Sequence, residues 1–210
     1  MIMGFIVLVS LVLAGCTLGS SIEQQLADAM TAMNSAEKNY REAQSELTDL
    51  ENLEQQLFNE TMKLTQQQQE ELTTKVAELE ALLDKRLGKL EQEEVSMVKA
   101  KAFARDLDAI IEKAEEPVKA GVEGLKNKVN ERYVQHAEFI TAYKKLAALQ
   151  KELYEMLRVE KIQLVELKDQ VNDVNAQNEI VQSAVTSFNE LTEEVNVQKD
   201  DVFAKFQKEK

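Results

Sequence analysis

Apolar residues recur along most of this 210-residue chain in steps of three and four, the spacing that lines one face of an α-helix. The first run begins at Ser20, where Glu23 three residues on completes a capping box, a helix-start signal. From there Ile22, Leu26, Ala29, Met33, Ala36, Tyr40, Ala43, Leu47 and Leu50 form a heptad seam, and the helix is expected to continue through Leu57 and Phe58. Thr65 with Gln68 is a second capping box, which places a turn at about residues 63–65. Gln66 to Gln69 then read as a solvated first turn.

The second seam runs from Leu72 through Val76, Leu79, Leu83, Leu87, Leu90, Met97, Phe103, Leu107 and Ile110 to Ala114. It should stop before Pro117, which suits the first turn of a new helix and not the interior of an old one. A third seam joins Val118, Val122, Leu125, Val129, Phe139, Tyr143, Leu146, Leu153 and Leu157; a fourth joins Leu164, Leu167, Val171, Val174, Val181, Val185, Phe188, Val195, Val202 and Phe206. No Gly or Pro separates these two. A turn near residues 158–163 is expected because it yields four helices of similar length; without it the fold is a three-helix bundle or an open coil. The expectation is an all-α, elongated, antiparallel up-and-down bundle, with helices of about 40 to 48 residues forming a rod about 60 to 70 Å long.

The first fifteen residues stand outside this pattern. Met1 to Gly15 carry no charge, and Phe5 to Ala14 form one apolar run. That is short for a membrane-spanning helix, which needs about 20 apolar residues, and suits the apolar region of a secretory signal. The run ends in Leu13-Ala14-Gly15-Cys16, which resembles the lipobox of bacterial lipoproteins. The resemblance implies diacylglyceryl transfer to the Cys16 thiol and cleavage on its N-terminal side. Met1-Ile2-Met3-Gly4 departs from the pattern, since such signals usually begin with Lys or Arg; the translation start stays open on this reading. The expected organisation is a signal peptide over 1–15, a lipidated leader over 16–20 and a helical domain over 21–210. Two acyl chains on one residue anchor stably, where a single chain would be marginal. Cys16 is the only cysteine, so no intramolecular disulfide can form.

Composition agrees with the helical reading. Aromatic residues make up 5% and charged residues 30%, with no Trp, which favours long packed helices over strands. The net charge of −13 is uneven. Residues 21–84 hold 14 acidic and 4 basic side chains, residues 85–158 hold 13 and 15, and residues 159–210 hold 11 and 6. Nucleic acid is excluded as a partner, because phosphate contact demands a basic face, and general attraction to an anionic wall polymer is not expected either.

No catalytic constellation is visible, and no cofactor is implied. His136 is the sole histidine and has no second soft ligand, so a Cys/His zinc site is not expected. No nucleophile-elbow, zincin or phosphate-loop motif is present. With no Trp, and most Tyr and Phe on or beside the seams, an exposed aromatic platform for sugar is not apparent. Polar residues do fall at core-phase positions: Glu94, Arg132, His136 and Asn178. A turn near residue 116 folds Glu94 back to about the level of residue 138. The expectation is a mid-bundle polar cluster in which Glu94 pairs with Arg132 or His136. Such a cluster either sets register and topology, as a buried Asn does in coiled coils, or forms a small binding site between helices.

The lipobox, Arg86 to Ser96 (Arg-Leu-Gly-Lys-Leu-Glu-Gln-Glu-Glu-Val-Ser), Arg132-Tyr133, Glu152 to Met156-Leu157 and Asn175 together resemble the YkyA-type family of cell-wall-binding lipoproteins of Gram-positive bacteria. The resemblance implies a helical bundle on the outer face of the plasma membrane and offers no catalytic residues. Two functions remain open: a non-enzymatic surface lipoprotein that binds peptidoglycan or an envelope protein, and a coiled-coil adaptor or spacer that pairs with another helical protein.

Overall fold

The computed structural model describes residues 21–208; the signal segment, the lipobox and Cys16 lie outside the described residues. The order is α1 (Ile22–Ala36), α2 (Lys38–Thr61), a short 3-10 turn (Gln66–Gln68), α3 (Gln69–Phe103), α4 (Asp106–Lys113), α5 (Val118–Leu157) and α6 (Leu164–Lys208). Among the described residues every regular element is helical. Four long arms result, α1–α2, α3–α4, α5 and α6, and the chain turns between Leu157 and Leu164 without Gly or Pro.

The arms run up and down. At one end Lys113 Nζ donates to Gln25 Oε1 at 3.1 Å, and Lys205 Nζ to the Pro117 carbonyl at 3.4 Å. At the other, Gln69 Nε2 donates to the Arg158 carbonyl at 3.0 Å, and Arg158 pairs with Glu80. The first end carries Ser21 and is called proximal below; the second, where α2 and α5 end, is distal. At 1.5 Å per residue the 40-residue α5 spans about 60 Å.

The first cap is made by Ser21, whose Oγ accepts the Gln24 N–H at 3.1 Å; the expected cap at Ser20 lies outside the described residues. The Thr65–Gln68 capping box forms as the sequence suggests. Pro117 directly precedes α5, after a cis peptide bond from Glu116.

Two arms are broken where the seams suggested continuous helices. The break between α1 and α2 has a local cause. Ser96 Oγ, reaching across from α3, donates to the Ala36 carbonyl at 2.7 Å and accepts the Tyr40 N–H at 3.1 Å. It therefore stands between the two groups that an unbroken helix would join directly, and a side chain inserted into that ladder bends the helix. Near Ala104 the second arm tightens into i→i−3 bonds, Ala104 N–H to Lys101 and Arg105 N–H to Ala102, before α4 resumes.

Three apolar clusters fill the interior in succession. The proximal one holds Leu26, Met97, Leu107, Val122, Leu125 and Val202; the middle one Leu47, Leu90, Phe139 and Val181; the distal one Val76, Leu79, Leu83 and Leu153. In the proximal half α6 lies tight against α5: a Cβ on Gly121 would stand 3.0 Å from Val202 Cγ2. In the distal half the α6 seam is only partly covered. Leu167, Val171 and Val174 are half-buried, and Leu164, expected in the seam, is 80% exposed. Phe103, at the end of α3, is also exposed. Among the described residues no helix is long and apolar enough to cross a membrane.

Candidate functional site: buried ion networks and a distal groove

Three polar networks interrupt the apolar interior. The first is proximal. Glu37 sits at the α1–α2 break, and its carboxylate turns inward to Arg132 with a two-point contact, Nη1–Oε1 2.6 Å and Nη2–Oε2 3.1 Å. Tyr133 donates its hydroxyl to the same Oε1 at 2.8 Å. From α6, Thr192 Oγ1 accepts Arg132 Nε at 2.8 Å, and the Phe188 ring lies 4.7 Å from the guanidinium carbon. Fork-to-fork contact and cation–π cover are the geometries that suit a buried arginine. Burial opposes the charge on Arg132, but Glu37 outweighs it and the pKa is raised.

The second network lies one turn on. Glu93 is fully buried, with Oε1 2.7 Å from His136 Nε2 and Oε2 accepting Gln44 Nε2. The His136 ring packs edge-on to Tyr40 and Phe188. Burial first, and then Glu93, pushes the Tyr40 phenol well above its ordinary pKa.

The third network is distal. Arg86, 3% exposed, gives Nη1 to Glu54 Oε1 and Oε2 at 2.8 and 2.9 Å and to Gln150 Oε1 at 3.1 Å. Its Nε and Nη2 both reach Tyr143 Oη, at 2.8 and 2.6 Å. Tyr143 passes its proton side on to Glu51 Oε1 at 2.7 Å, and Tyr154 donates to Glu54. Burial raises both phenols, with Glu51 and Glu54 adding to it respectively. For Arg86, burial works against the charge, but Tyr143, Glu54 and Glu51 overcome it and the pKa rises.

This third network forms the wall of an open cavity of about 320 Å³. α2 contributes Glu51, Glu54, Gln55 and Phe58; α5 contributes Tyr143, Leu146, Gln150, Leu153 and Tyr154; α6 contributes Val171, Val174, Asn175, Asn178, Val181 and Gln182. The volume is at the lower end of small-ligand pockets. The side-chain amides of Asn175, Asn178 and Gln182 are exposed and have no protein partner among the described residues. A carboxamide supplies both donors and acceptors, so this rim can pair with neutral amides and hydroxyls.

The residues singled out in the sequence divide between these places. Arg132 and His136 are interior, at adjacent turns of α5, but their carboxylate partners are Glu37 and Glu93. Glu94 is not in the cluster: it faces outward and pairs with Lys144 at 2.7 Å. Asn178 is exposed on the groove rim, while its neighbour Gln177 is buried and donates to the Ala142 carbonyl at 3.0 Å. The single cluster of the sequence reading is therefore three networks. Arg86, Glu37, Glu51, Glu54 and Glu93 were missed. Arg86 lies three residues after Leu83 and four before Leu90, and Glu54 lies four after Leu50, so core phase marks both. Among the described residues no three of His, Asp or Glu converge in a metal-binding group.

Four antiparallel helical arms packed on apolar clusters, with polar networks between them, define the class: an elongated all-helical bundle. The chain belongs to the YkyA family, described as "Putative cell-wall binding lipoprotein", whose model matches residues 21–205. It is 27% identical to the uncharacterized lipoprotein YkyA of Bacillus subtilis (strain 168) over 195 residues, 92% of this chain and 87% of the relative. The fold is similar to that of a conserved protein of unknown function from Staphylococcus aureus, solved by crystallography, with a TM-score of 0.72, 16% identity, and coverage of 89% of this chain and 97% of that one.

Proposed function

We propose that this chain is a non-enzymatic, lipid-anchored surface protein that binds peptidoglycan through the distal groove. Lipid on Cys16, after removal of residues 1–15, would hold it on the outer face of the plasma membrane. The leader to Ser21 is short, so the proximal end starts at the membrane. Tyr143 and Tyr154 then stand about 40 and 55 Å further along α5, at 1.5 Å per residue, which carries the groove outward. The observation that supports this reading best is the row of unpaired amides on the α6 rim facing the Arg86 network. A polymer rich in amides and hydroxyls complements such a rim. The buried carboxylates hold an arginine, phenols, an amide and an imidazole, which suits a structural role and not proton transfer.

The test uses the lipid-free chain, residues 17–210, which contains the whole described bundle. It should be retained on purified peptidoglycan freed of teichoic acid, and retention should survive moderate salt. A second reading is an adaptor that pairs with an envelope protein, favoured by Leu164 and Val165 at the distal turn, 80% and 67% exposed. No retention on peptidoglycan, with co-purification of a membrane protein that is lost in a Leu164→Asp, Val165→Asp variant, would replace the first reading by the second.

A further inference from the structure

We infer that the portion of the ligand seated in the distal groove is a short peptide bearing a free primary amine, and that Glu51 is its anchor. The inference rests on the wall-binding reading and sharpens it. It follows from which charges in the groove are already satisfied. The charged lining residues are Glu51, Glu54 and Arg86. Arg86 and Glu54 neutralise one another through the paired contact at 2.8 and 2.9 Å, and both are closed off by Tyr143, Tyr154 and Gln150. Glu51 is left over.

Its side chain is 46% exposed and 3.6 Å from Arg86 Nη2. Both this approach and the Tyr143 hydroxyl fall on Oε1, which leaves Oε2 without a protein partner among the described residues. The groove thus carries one uncompensated negative charge and no cation available to a ligand. A carboxylate or phosphate entering it would meet like charge; an ammonium would meet its complement.

The remaining lining selects peptide over sugar. Gln55, Asn175, Asn178 and Gln182 offer donors and acceptors along the rim, the pairing set of an extended backbone. Val171 and Val174 supply aliphatic cover and Phe58 a half-buried aromatic ring beside them. Stacking on a sugar ring needs an open aromatic face, whereas Tyr143 and Tyr154 are each 3% exposed, with their hydroxyls bound to carboxylates, and the Phe58 ring is half-buried and tilted against Tyr154 at 6.1 Å.

The experiment is calorimetric titration of the lipid-free chain with two soluble probes: the capped peptide acetyl-Ala-Gln-Lys-Ala-Ala-amide and the same peptide acetylated on the lysine amine. The free-amine peptide should bind, and acetylation should weaken it about two- to fivefold, the range for a half-exposed ion pair. Glu51→Gln should weaken the free-amine peptide to the same degree and leave the acetylated one unchanged, and the gap between the two peptides should narrow with salt. Equal binding of the two peptides, or no binding of either by a chain that is retained on peptidoglycan, overturns the inference while the wall reading stands. Amine-dependent, Glu51-dependent binding by a chain that peptidoglycan does not retain upholds the site and removes the wall reading. Melting of Glu51→Gln, followed by circular dichroism, separates lost binding from lost fold.

Discussion

The proximal and distal halves are built around the same device and finish it differently. Each buries an arginine of the bundle against a glutamate from the first arm, with a tyrosine hydroxyl donating to the same glutamate: Arg132, Glu37 and Tyr133 in one, Arg86, Glu54 and Tyr154 in the other. In the proximal half α6 completes the enclosure, with Phe188 over the guanidinium and Thr192 on its Nε. In the distal half α6 leaves a cavity and faces it with Asn175, Asn178 and Gln182. A buried ion network is therefore no sign of function in this molecule. What distinguishes the candidate site is the neighbouring helix, which encloses one network and leaves a polar groove beside the other.

The largest expected effect strikes both halves together. All four tyrosines, Tyr40, Tyr133, Tyr143 and Tyr154, have pKa values raised first of all by burial. A folded-state pKa above the unfolded value contributes stability that is complete below about pH 10 and is lost as pH rises toward the folded values. With no Trp to obscure it, phenolate absorbance near 295 nm should stay flat past pH 10 and appear only as helical dichroism collapses. Stepwise ionisation near pH 10 in a folded chain would contradict the burial of these hydroxyls.

Next comes the equivalence of the two arginines. Arg132→Met and Arg86→Met each leave a buried carboxylate without its cation, and each should cost about 3–5 kcal/mol in urea denaturation. A cost below about 1 kcal/mol for either one would show that its network is solvated. Ser96→Ala removes the hydroxyl that bridges Ala36 and Tyr40, and about 1–3 kcal/mol should follow from the unmet backbone groups. An unchanged midpoint would mean that α1 and α2 rejoin as one helix without it. Smallest in stability is Asn178→Ala with Asn175→Ala on the groove rim, expected within about 0.5 kcal/mol per substitution of the parent. Retention on peptidoglycan should nevertheless fall, which separates the distal rim from the networks behind it.

Much of this was legible as periodicity. The four arms, the Thr65 cap and the stop before Pro117 follow from seams and start signals, whereas the turn before Leu164 follows only from the expectation of four helices of similar length. What misled the reading is a single ambiguity repeated three times. A heptad seam advances by three or four residues, so two adjacent positions can each claim the core. After Met33 the choice lies between Ala36 and Glu37, after Leu90 between Glu93 and Glu94, after Val174 between Gln177 and Asn178. In each case the other residue is the buried one: Glu37 is 8% exposed, Glu93 0% and Gln177 4%. Hydrophobicity favours Ala36 at the first site and cannot choose between like residues at the other two. The partners decide, and they come from distant helices: Arg132 takes Glu37, His136 takes Glu93, and the Ala142 carbonyl takes Gln177. The break between α1 and α2 was hidden for the same reason, because its cause, Ser96, lies on another helix. The groove left a weak trace, in that the start of the α6 seam is apolar yet incompletely covered.

The contrast between the halves is tested most directly by a nuclear magnetic resonance titration. Backbone amides of the isotope-labelled, lipid-free chain would be followed while muramidase-solubilised peptidoglycan is added. Binding in the distal groove predicts shifts concentrated in residues 51–58, 143–154 and 171–182, with residues 118–132 and 188–206 still. Shifts concentrated in those proximal segments, or none at saturating fragment, would contradict the account.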